Sequence, residues 1–137
     1  GMMAPDTPLN TWFYKAYMDE YGVFPAQPPY RMVQGLMGLK MAIEKAMDNN
    51  GGKRPNKDQI ATAFTGLEWE APGGLVQMKL GNGHQAIQPH AIGKTAKDKD
   101  GNITITDIVR FKASCVNPPN GTKTVDWINA GFPGAKC

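Results

Sequence analysis

The chain has 137 residues, of which 41% are hydrophobic and 20% are charged, so it is long and apolar enough to form a packed globular domain. Its formal net charge is +3, but the lysines and arginines are scattered along the chain, which argues against a nucleic-acid-binding protein because neutralising phosphates requires clustered cations. No apolar stretch approaches the roughly 20 residues that a membrane-spanning helix needs.

The two ends of the chain bear on its cellular compartment. The N-terminus lacks the basic and apolar regions of a signal peptide, and Gly1 before Met2 is typical of a residue left by tag removal, so we expect a natural leader or upstream domain to be missing. The two cysteines are Cys115 and Cys137. A disulfide between them would close the C-terminal tail and fit an oxidising compartment such as the periplasm. Two free thiols in a cytosolic protein are the alternative.

The first helix is predicted to begin at Pro8, because Thr7 is a favourable N-cap and proline is favoured at the first helical position. The apolar residues that recur at helical spacing are Leu9, Trp12, Phe13, Ala16 and Tyr17. Gly22 ends this amphipathic helix. The prolines of segment 24–29 predict an extended connector, since proline lacks an amide donor and fixes φ.

A second helix is predicted from Pro29 to about Met47, and it is apolar on nearly every side. A helix of this kind has to be buried between other elements. Gly35 and Gly38 each cost a helix about 1 kcal/mol relative to alanine, so we expect both to permit close backbone packing.

Asn56 and Gln59 form a predicted capping box for a third helix. The apolar residues on one side of this helix are Ile60, Ala63, Phe64 and Leu67.

Strands and turns follow the third helix. Residues 67–70 are predicted to be extended and residues 71–74 to form a turn, and apolar residues then alternate over 76–80 as on one face of a strand. Asn82-Gly83 predicts a hairpin, because both residues tolerate positive φ.

Pro89 interrupts the returning strand predicted over 85–95, which indicates an edge position or a crossing between sheets. The next strand changes phase between Ile105 and Val109, which predicts a β-bulge. The tail is predicted to be loop-like except over 125–130, where Trp127 and Ile128 would cover a sheet edge.

No pattern of catalytic or metal-ligating residues stands out. His84 and His90 are six residues apart on a strand-like segment without a cysteine pair nearby, so we predict no metal site and no cofactor. Cys115 has no nearby histidine and is predicted to be a disulfide partner instead of a nucleophile. Glu68 and Glu70 share one side of an extended segment, as on a solvated strand face. We predict that the chain is not an enzyme.

The start of the second helix is the candidate ligand site. Gln27 contributes an amide and Arg31 a guanidinium at a helix entrance, where unpaired backbone amides and the helix dipole favour anions. A ligand carboxylate could bind there, with Pro28 and Tyr30 beside it. The alternative is that Pro28 and Tyr30 are only capping and core residues.

The order of these features resembles the C-terminal region of the type I periplasmic solute-binding proteins, the leucine-isoleucine-valine-binding protein family. The segments that carry the resemblance are 17–22 (YMDEYG), 42–46 (AIEKA), 56–70, 72–78 (PGGLVQM), 83–85 (GHQ) and 88–89 (QP). Each is weak alone, but their order is specific over about residues 8–111. The tail from Ala113 departs from the family pattern.

The resemblance implies an α/β fold, the C-terminal part of a body with two lobes joined by three crossovers, here built as three helices followed by β-hairpins. Residues 1–88 would be the helical and strand portion of lobe 1. Residues 89–137 would form the crossover, the strands of lobe 2 and the tail. Ligand would bind between the lobes, and the family contacts at the start of the second helix map onto Gln27, Pro28 and Tyr30.

The resemblance also implies a function: the periplasmic substrate-binding component of an ABC transporter, which captures branched-chain amino acids or related small molecules without catalysis and presents them to a permease. A ligand-sensing regulatory domain of the same fold is the alternative. In a partial chain, the apolar residues Trp12, Phe13, Val33 and Met37 would lack the sheet on which they pack. We therefore expect homo-oligomers formed by exchange of elements, or a longer natural chain.

Overall fold

The structure, a computed structural model, describes residues 3–135 and 137. The helices are α1 Pro8–Tyr21, α2 Gln27–Asn49, α3 Lys57–Phe64, α4 Ala113–Val116 and α5 Thr124–Asn129. The strands are β1 Glu68–Ala71, β2 Gly74–Leu80, β3 Gln85–Ile87, β4 His90–Lys97 and β5 Ile103–Phe111. Three helices followed by antiparallel hairpins make a mixed α/β chain, which confirms the predicted fold class.

The ends of α1 follow the predicted local chemistry. The Thr7 side chain accepts a hydrogen bond from the Asn10 amide, and Gly22 ends the helix with φ 65°, a conformation that glycine adopts without steric cost. The extended connector ends sooner than predicted, because α2 begins at Gln27. Pro28 and Pro29 lie in its first turn, where the missing amide donors cost no hydrogen bond.

The second helix is buried along one face only, so the prediction that nearly all of its circumference is covered is wrong for the described chain. Tyr30, Gly38, Ala42 and Ala46 are buried, because Tyr30 packs against Phe13 of α1 and α3 and β1 pack against the rest of this side. An exposed stripe, defined as Met32, Leu36 and Leu39, lies on another face, where these side chains are 66%, 60% and 40% exposed.

The expected apolar patch therefore has a different composition from the one predicted. Trp12 is 61% exposed, but Phe13 is buried against Tyr30. Val33 and Met37 are half-buried, and Met37 packs against the core.

The core lies between α2, α3 and the first sheet. Its buried residues are Ala42, Ala46, Ala63, Leu67, Trp69, Ala71 and Val76. The Trp69 indole donates a hydrogen bond to the Gln34 carbonyl at 3.1 Å, which attaches β1 to α2. A Cβ atom at Gly38 would lie 2.5 Å from the Trp69 ring, so close packing is confirmed there. At Gly35 an added Cβ would meet nothing within 4 Å, so the prediction of close backbone packing is wrong for Gly35.

The strands form two antiparallel sheets with the orders β1-β2-β3 and β4-β5. Pro89 lies between β3 and β4, where the chain leaves one sheet for the other, as its position in the sequence predicted. Asn82 adopts φ 56° in the 3-10 turn that joins β2 to β3. The predicted bulge is present, since the β4-β5 register shifts near Asp107, which has φ 51°. The assignment of 1–88 and 89–137 to two lobes stays a prediction.

The tail is closed by the predicted disulfide between Cys115 and Cys137. Its short helix α4 was not predicted. Trp127 is buried, packs edge-on against Phe132 and donates a hydrogen bond to the Pro133 carbonyl at 3.0 Å. Trp127 therefore forms a small core within the tail instead of covering a sheet edge.

Candidate functional site

A cleft of about 800 Å³ lies where the N-terminal segment, the start of α2 and the two sheets meet. Its lining residues are Met3, Ala4, Pro5, Thr7, Gln27, Tyr30, Arg31, Gln34, Glu70, Gly73, Gly74, Leu75, Gln88, Pro89, His90, Ala91, Ile105 and Arg110. The cleft thus combines charged and amide side chains with an apolar surface, as small-molecule sites do.

Three of the four predicted ligand residues border the cleft. Gln27, Tyr30 and Arg31 line it, whereas Pro28 is exposed and does not. The Arg31 guanidinium makes no hydrogen bond or ion pair within the described part of the chain. It is therefore available to a ligand anion, although the binding role itself stays a prediction.

Tyr30 has a structural role in addition to its place in the cleft. Its hydroxyl donates a hydrogen bond to Asn10 Oδ1 at 2.7 Å, and its ring meets Phe13 edge-on with the ring centroids 4.7 Å apart. Desolvation by burial, with a smaller contribution from Tyr14, raises the pKa of Tyr30 above its ordinary value. Asn10 in turn donates to the Pro5 carbonyl at 2.9 Å, so Tyr30 helps to hold the N-terminal segment beside the cleft.

Replacing Tyr30 by phenylalanine is expected to lower the free energy of unfolding by about 1 kcal/mol, because one partly buried hydrogen bond is lost while the ring remains. Urea denaturation measures this change. Tyr14→Phe is the matched control and should leave stability within about 0.5 kcal/mol of the native value, since Tyr14 is an exposed tyrosine whose hydroxyl makes no hydrogen bond to another described residue. Equal stability of the Tyr30→Phe variant and the native chain would contradict the structural role.

Gln88 and Arg110 also line the cleft, and neither was predicted to be part of a site. The Gln88 amide donates a hydrogen bond to Gln34 Oε1 at 3.0 Å, which connects α2 to the segment between the sheets. Arg110 on β5 donates to the carbonyls of Met3 and Ala4 at 2.7 and 3.1 Å. The break at Pro89 was the one sequence signal near these residues, and it carried no information about which distant segments would approach it.

The two glutamates of β1, Glu68 and Glu70, differ in whether their side chains form an ion pair. Glu68 forms an ion pair with Lys79 at 3.0 Å, and hydrogen bonds from Gln77 and Lys79 hold the pKa of the Glu68 carboxyl below its ordinary value. Glu70, two residues further along β1, lines the cleft and has no hydrogen bond or ion pair from its side chain in the part of the chain described.

Residues 3–135 and 137 contain no group of three or more histidine, cysteine, aspartate or glutamate side chains placed to hold a metal ion. Of the helices in the same residues, none combines the length and the hydropathy that a membrane span requires.

Comparison with solved structures shows to which fold the chain corresponds. No protein-family model matches the chain, and no curated protein sequence matches it. The chain is similar to an ABC-type branched-chain amino acid transporter from Rhodopseudomonas palustris, with a TM-score of 0.68 and 20% identity over 88% of this chain and 31% of that one. The chain has part of a solute-binding-protein fold.

Two other solved structures lead to the same fold, and both are solute-binding proteins of ABC transporters from Rhodopseudomonas palustris. One, in complex with 3,4-dihydroxybenzoic acid, has a TM-score of 0.61 and 24% identity over 79% of this chain and 28% of that one. The other, in complex with p-hydroxybenzoic acid, has a TM-score of 0.58 and 23% identity over 81% of this chain and 29% of that one. The chain spans less than a third of the length of each of these three proteins.

Proposed function

We propose that the chain is part of the ligand-binding component of an ABC transporter, which captures a small carboxylate in the periplasm and presents it to a permease. The partial chain would correspond to the C-terminal portion of a leucine-isoleucine-valine-type binding protein, with the cleft at the junction of its two lobes. Capture of this kind needs no covalent chemistry, so we propose a non-catalytic protein.

The observation that carries this proposal is the position of Arg31. It borders a cleft of about 800 Å³ on a fold shared with solute-binding proteins, and its guanidinium has no hydrogen-bond or ion-pair partner among residues 3–135 and 137. A guanidinium binds a carboxylate through two parallel charge-assisted hydrogen bonds. Arg110 adds a second positive charge to the same cleft. The ligands would be branched-chain amino acids or related small organic acids.

The exposed stripe of α2 supports the proposal that this chain belongs to a larger body. Met32 and Leu36 are more than half exposed, and three large apolar side chains on one helix face form a patch that a stable soluble protein usually covers. We propose that another part of the same protein covers the stripe. Homo-oligomers formed by exchange of elements are the alternative arrangement.

Isothermal titration calorimetry of the 137-residue chain against L-leucine, 4-methylpentanoate and 4-hydroxybenzoate tests the proposed function. We expect at least one carboxylate to bind, and we expect Arg31→Gln to weaken that binding at least about ten-fold, because a hydrogen bond between charged groups contributes about 1.5–3 kcal/mol. A thermal shift with the same ligand gives an independent readout, since a ligand that binds only the folded state stabilises it.

Arg54→Gln is the matched control for this experiment. Arg54 is also an exposed arginine, but it lies outside the cleft, so its removal should leave the affinity unchanged. No binding by any of the three carboxylates, or equal losses in the two arginine variants, would overturn the proposed function.

A further inference from the structure

Three asparagine-glycine pairs occur in the chain, at 50–51, 82–83 and 120–121. In such a pair the glycine nitrogen can attack the side-chain carbonyl carbon of the asparagine, because glycine has no side chain to hinder closure of the five-membered ring. The structure gives the three pairs different surroundings, and these surroundings decide which pair can react.

The pair at 82–83 lies in the turn between β2 and β3 and packs against the residues that follow α3. Gly83 is buried, and a Cβ atom added to it would lie 2.9 Å from Thr65 Cγ2 and 3.0 Å from the Gly66 nitrogen. The backbone of Asn82 has φ 56° and ψ 37° in this turn. Packing therefore leaves the Gly83 nitrogen little room to approach the Asn82 side chain.

The pair at 50–51 lies at the C-terminal end of α2. The backbone amide of Asn50 donates a hydrogen bond to the Met47 carbonyl at 3.0 Å, and that of Gly51 donates to the Asp48 carbonyl at 3.3 Å. The attacking nitrogen must lose its proton, and a hydrogen bond donated by the neutral amide opposes that loss. The end of the helix therefore protects this pair.

The pair at 120–121 lacks both restraints. Asn120 and Gly121 are exposed, and a Cβ atom added to Gly121 would meet nothing within 4 Å. Among residues 3–135 and 137, the Gly121 amide donates no hydrogen bond. The nitrogen that would attack Asn120 is therefore both accessible and unbonded.

A hydrogen-bond donor also contacts the carbonyl group that would be attacked. The backbone amide of Asn82 donates a hydrogen bond to Asn120 Oδ1 at 3.3 Å. Attack on the carbonyl carbon moves negative charge onto this oxygen, and a hydrogen bond strengthens when its acceptor becomes charged. The turn between β2 and β3 thus stabilises the tetrahedral intermediate that would form in the tail.

We propose that Asn120 is a site of spontaneous deamidation, a modification that does not depend on the proposed function. The Gly121 nitrogen loses its proton to hydroxide and bonds to Asn120 Cγ, the bond from Cγ to Nδ2 breaks, and the leaving nitrogen takes up a proton and departs as ammonia. Water then opens the cyclic imide at either carbonyl, which gives aspartate or isoaspartate. Either product lowers the formal net charge of +3 by one.

The test is a timed incubation of the 137-residue chain at mildly alkaline pH, followed by reduction, trypsin digestion and mass spectrometry. Trypsin places the three pairs on separate peptides, 46–53, 80–94 and 113–123. In the folded chain we expect Asn120 to convert at least about ten-fold faster than Asn50 and Asn82. In the reduced chain unfolded by guanidinium chloride, where these contacts are lost, we expect the three rates to agree within about three-fold.

Asn120→Gln is the control for the assignment, because its longer side chain would have to close a larger ring and should leave peptide 113–123 unmodified. Three outcomes would overturn the proposal. The first is conversion of Asn50 or Asn82 as fast as that of Asn120 in the folded chain. The second is a slowing of Asn120 by folding as large as that of the other two. The third is a product without isoaspartate, measured with an isoaspartyl methyltransferase, because direct hydrolysis of the side chain gives only aspartate.

Discussion

Replacing Gly38 by alanine is expected to lower the free energy of unfolding by about 2 kcal/mol. An added methyl group would lie 2.5 Å from the Trp69 ring, which is only 6% exposed and is held by its hydrogen bond to the Gln34 carbonyl. Overpacking of this kind typically costs about 1–3 kcal/mol, and occasionally more. The higher helix propensity of alanine offsets at most about 1 kcal/mol of that cost. Urea denaturation followed by tryptophan fluorescence measures the loss in the free energy of unfolding, and a shift in the fluorescence of the folded chain reports displacement of the Trp69 ring.

Gly35→Ala is the matched control in the same helix. Its added methyl group would meet nothing within 4 Å, so the substitution should stabilise the chain by up to about 1 kcal/mol through helix propensity alone. If Gly38→Ala were as stable as Gly35→Ala, the close contact between the Trp69 ring and α2 at Gly38 would be contradicted.

Reducing the disulfide between Cys115 and Cys137 is expected to destabilise the tail by about 3 kcal/mol. The cross-link joins residues separated by 22 positions, and a closed loop of this length removes about that much conformational free energy from the unfolded chain. The tail has a small core of its own around Trp127, and α4 and α5 are short helices that depend on tertiary contacts. Hydrogen exchange should therefore accelerate within 113–135 when a reductant is added.

The core around Trp69 should keep its hydrogen-exchange protection in the same experiment, because it has no cysteine and packs between α2, α3 and the first sheet. A Cys115→Ala/Cys137→Ala variant supplies the control, since its tail should exchange rapidly with or without reductant. Slow exchange in the reduced native tail would contradict a stabilising role for the cross-link.

Much of the local structure could be predicted because it depends on neighbouring residues. The cap at Thr7, the capping box at Asn56, the turn at Asn82 and the sheet break at Pro89 each reflect backbone requirements within a few positions. The bulge near Asp107 was predictable from a change in the phase of alternation. Each of these signals can be read without knowledge of distant contacts.

The faces of α2 could not be assigned in this way. Apolar residues surround most of the helix, so their periodicity did not show that Ala42 and Ala46 would be buried while Met32 and Leu36 would be exposed. The distinction between Gly35 and Gly38 depends on one residue, Trp69, which lies more than 30 positions away. Burial of a helix face is a property of its partners, and these come from elsewhere in the chain.

The candidate site was likewise predictable from the sequence only in part. The sequence by itself predicted a helix entrance near Gln27, Tyr30 and Arg31 from its prolines, although it placed the first helical residue at Pro29 and the structure places it at Gln27. Only the tertiary structure decided that Glu70 and Arg110 share a cleft with Arg31, since strand pairing and packing bring together residues about 40 and 80 positions apart. It also decided that Glu68 forms an ion pair with Lys79 whereas the Glu70 side chain forms none with any residue that the structure describes, because ion pairing depends on which side chain lies across the sheet.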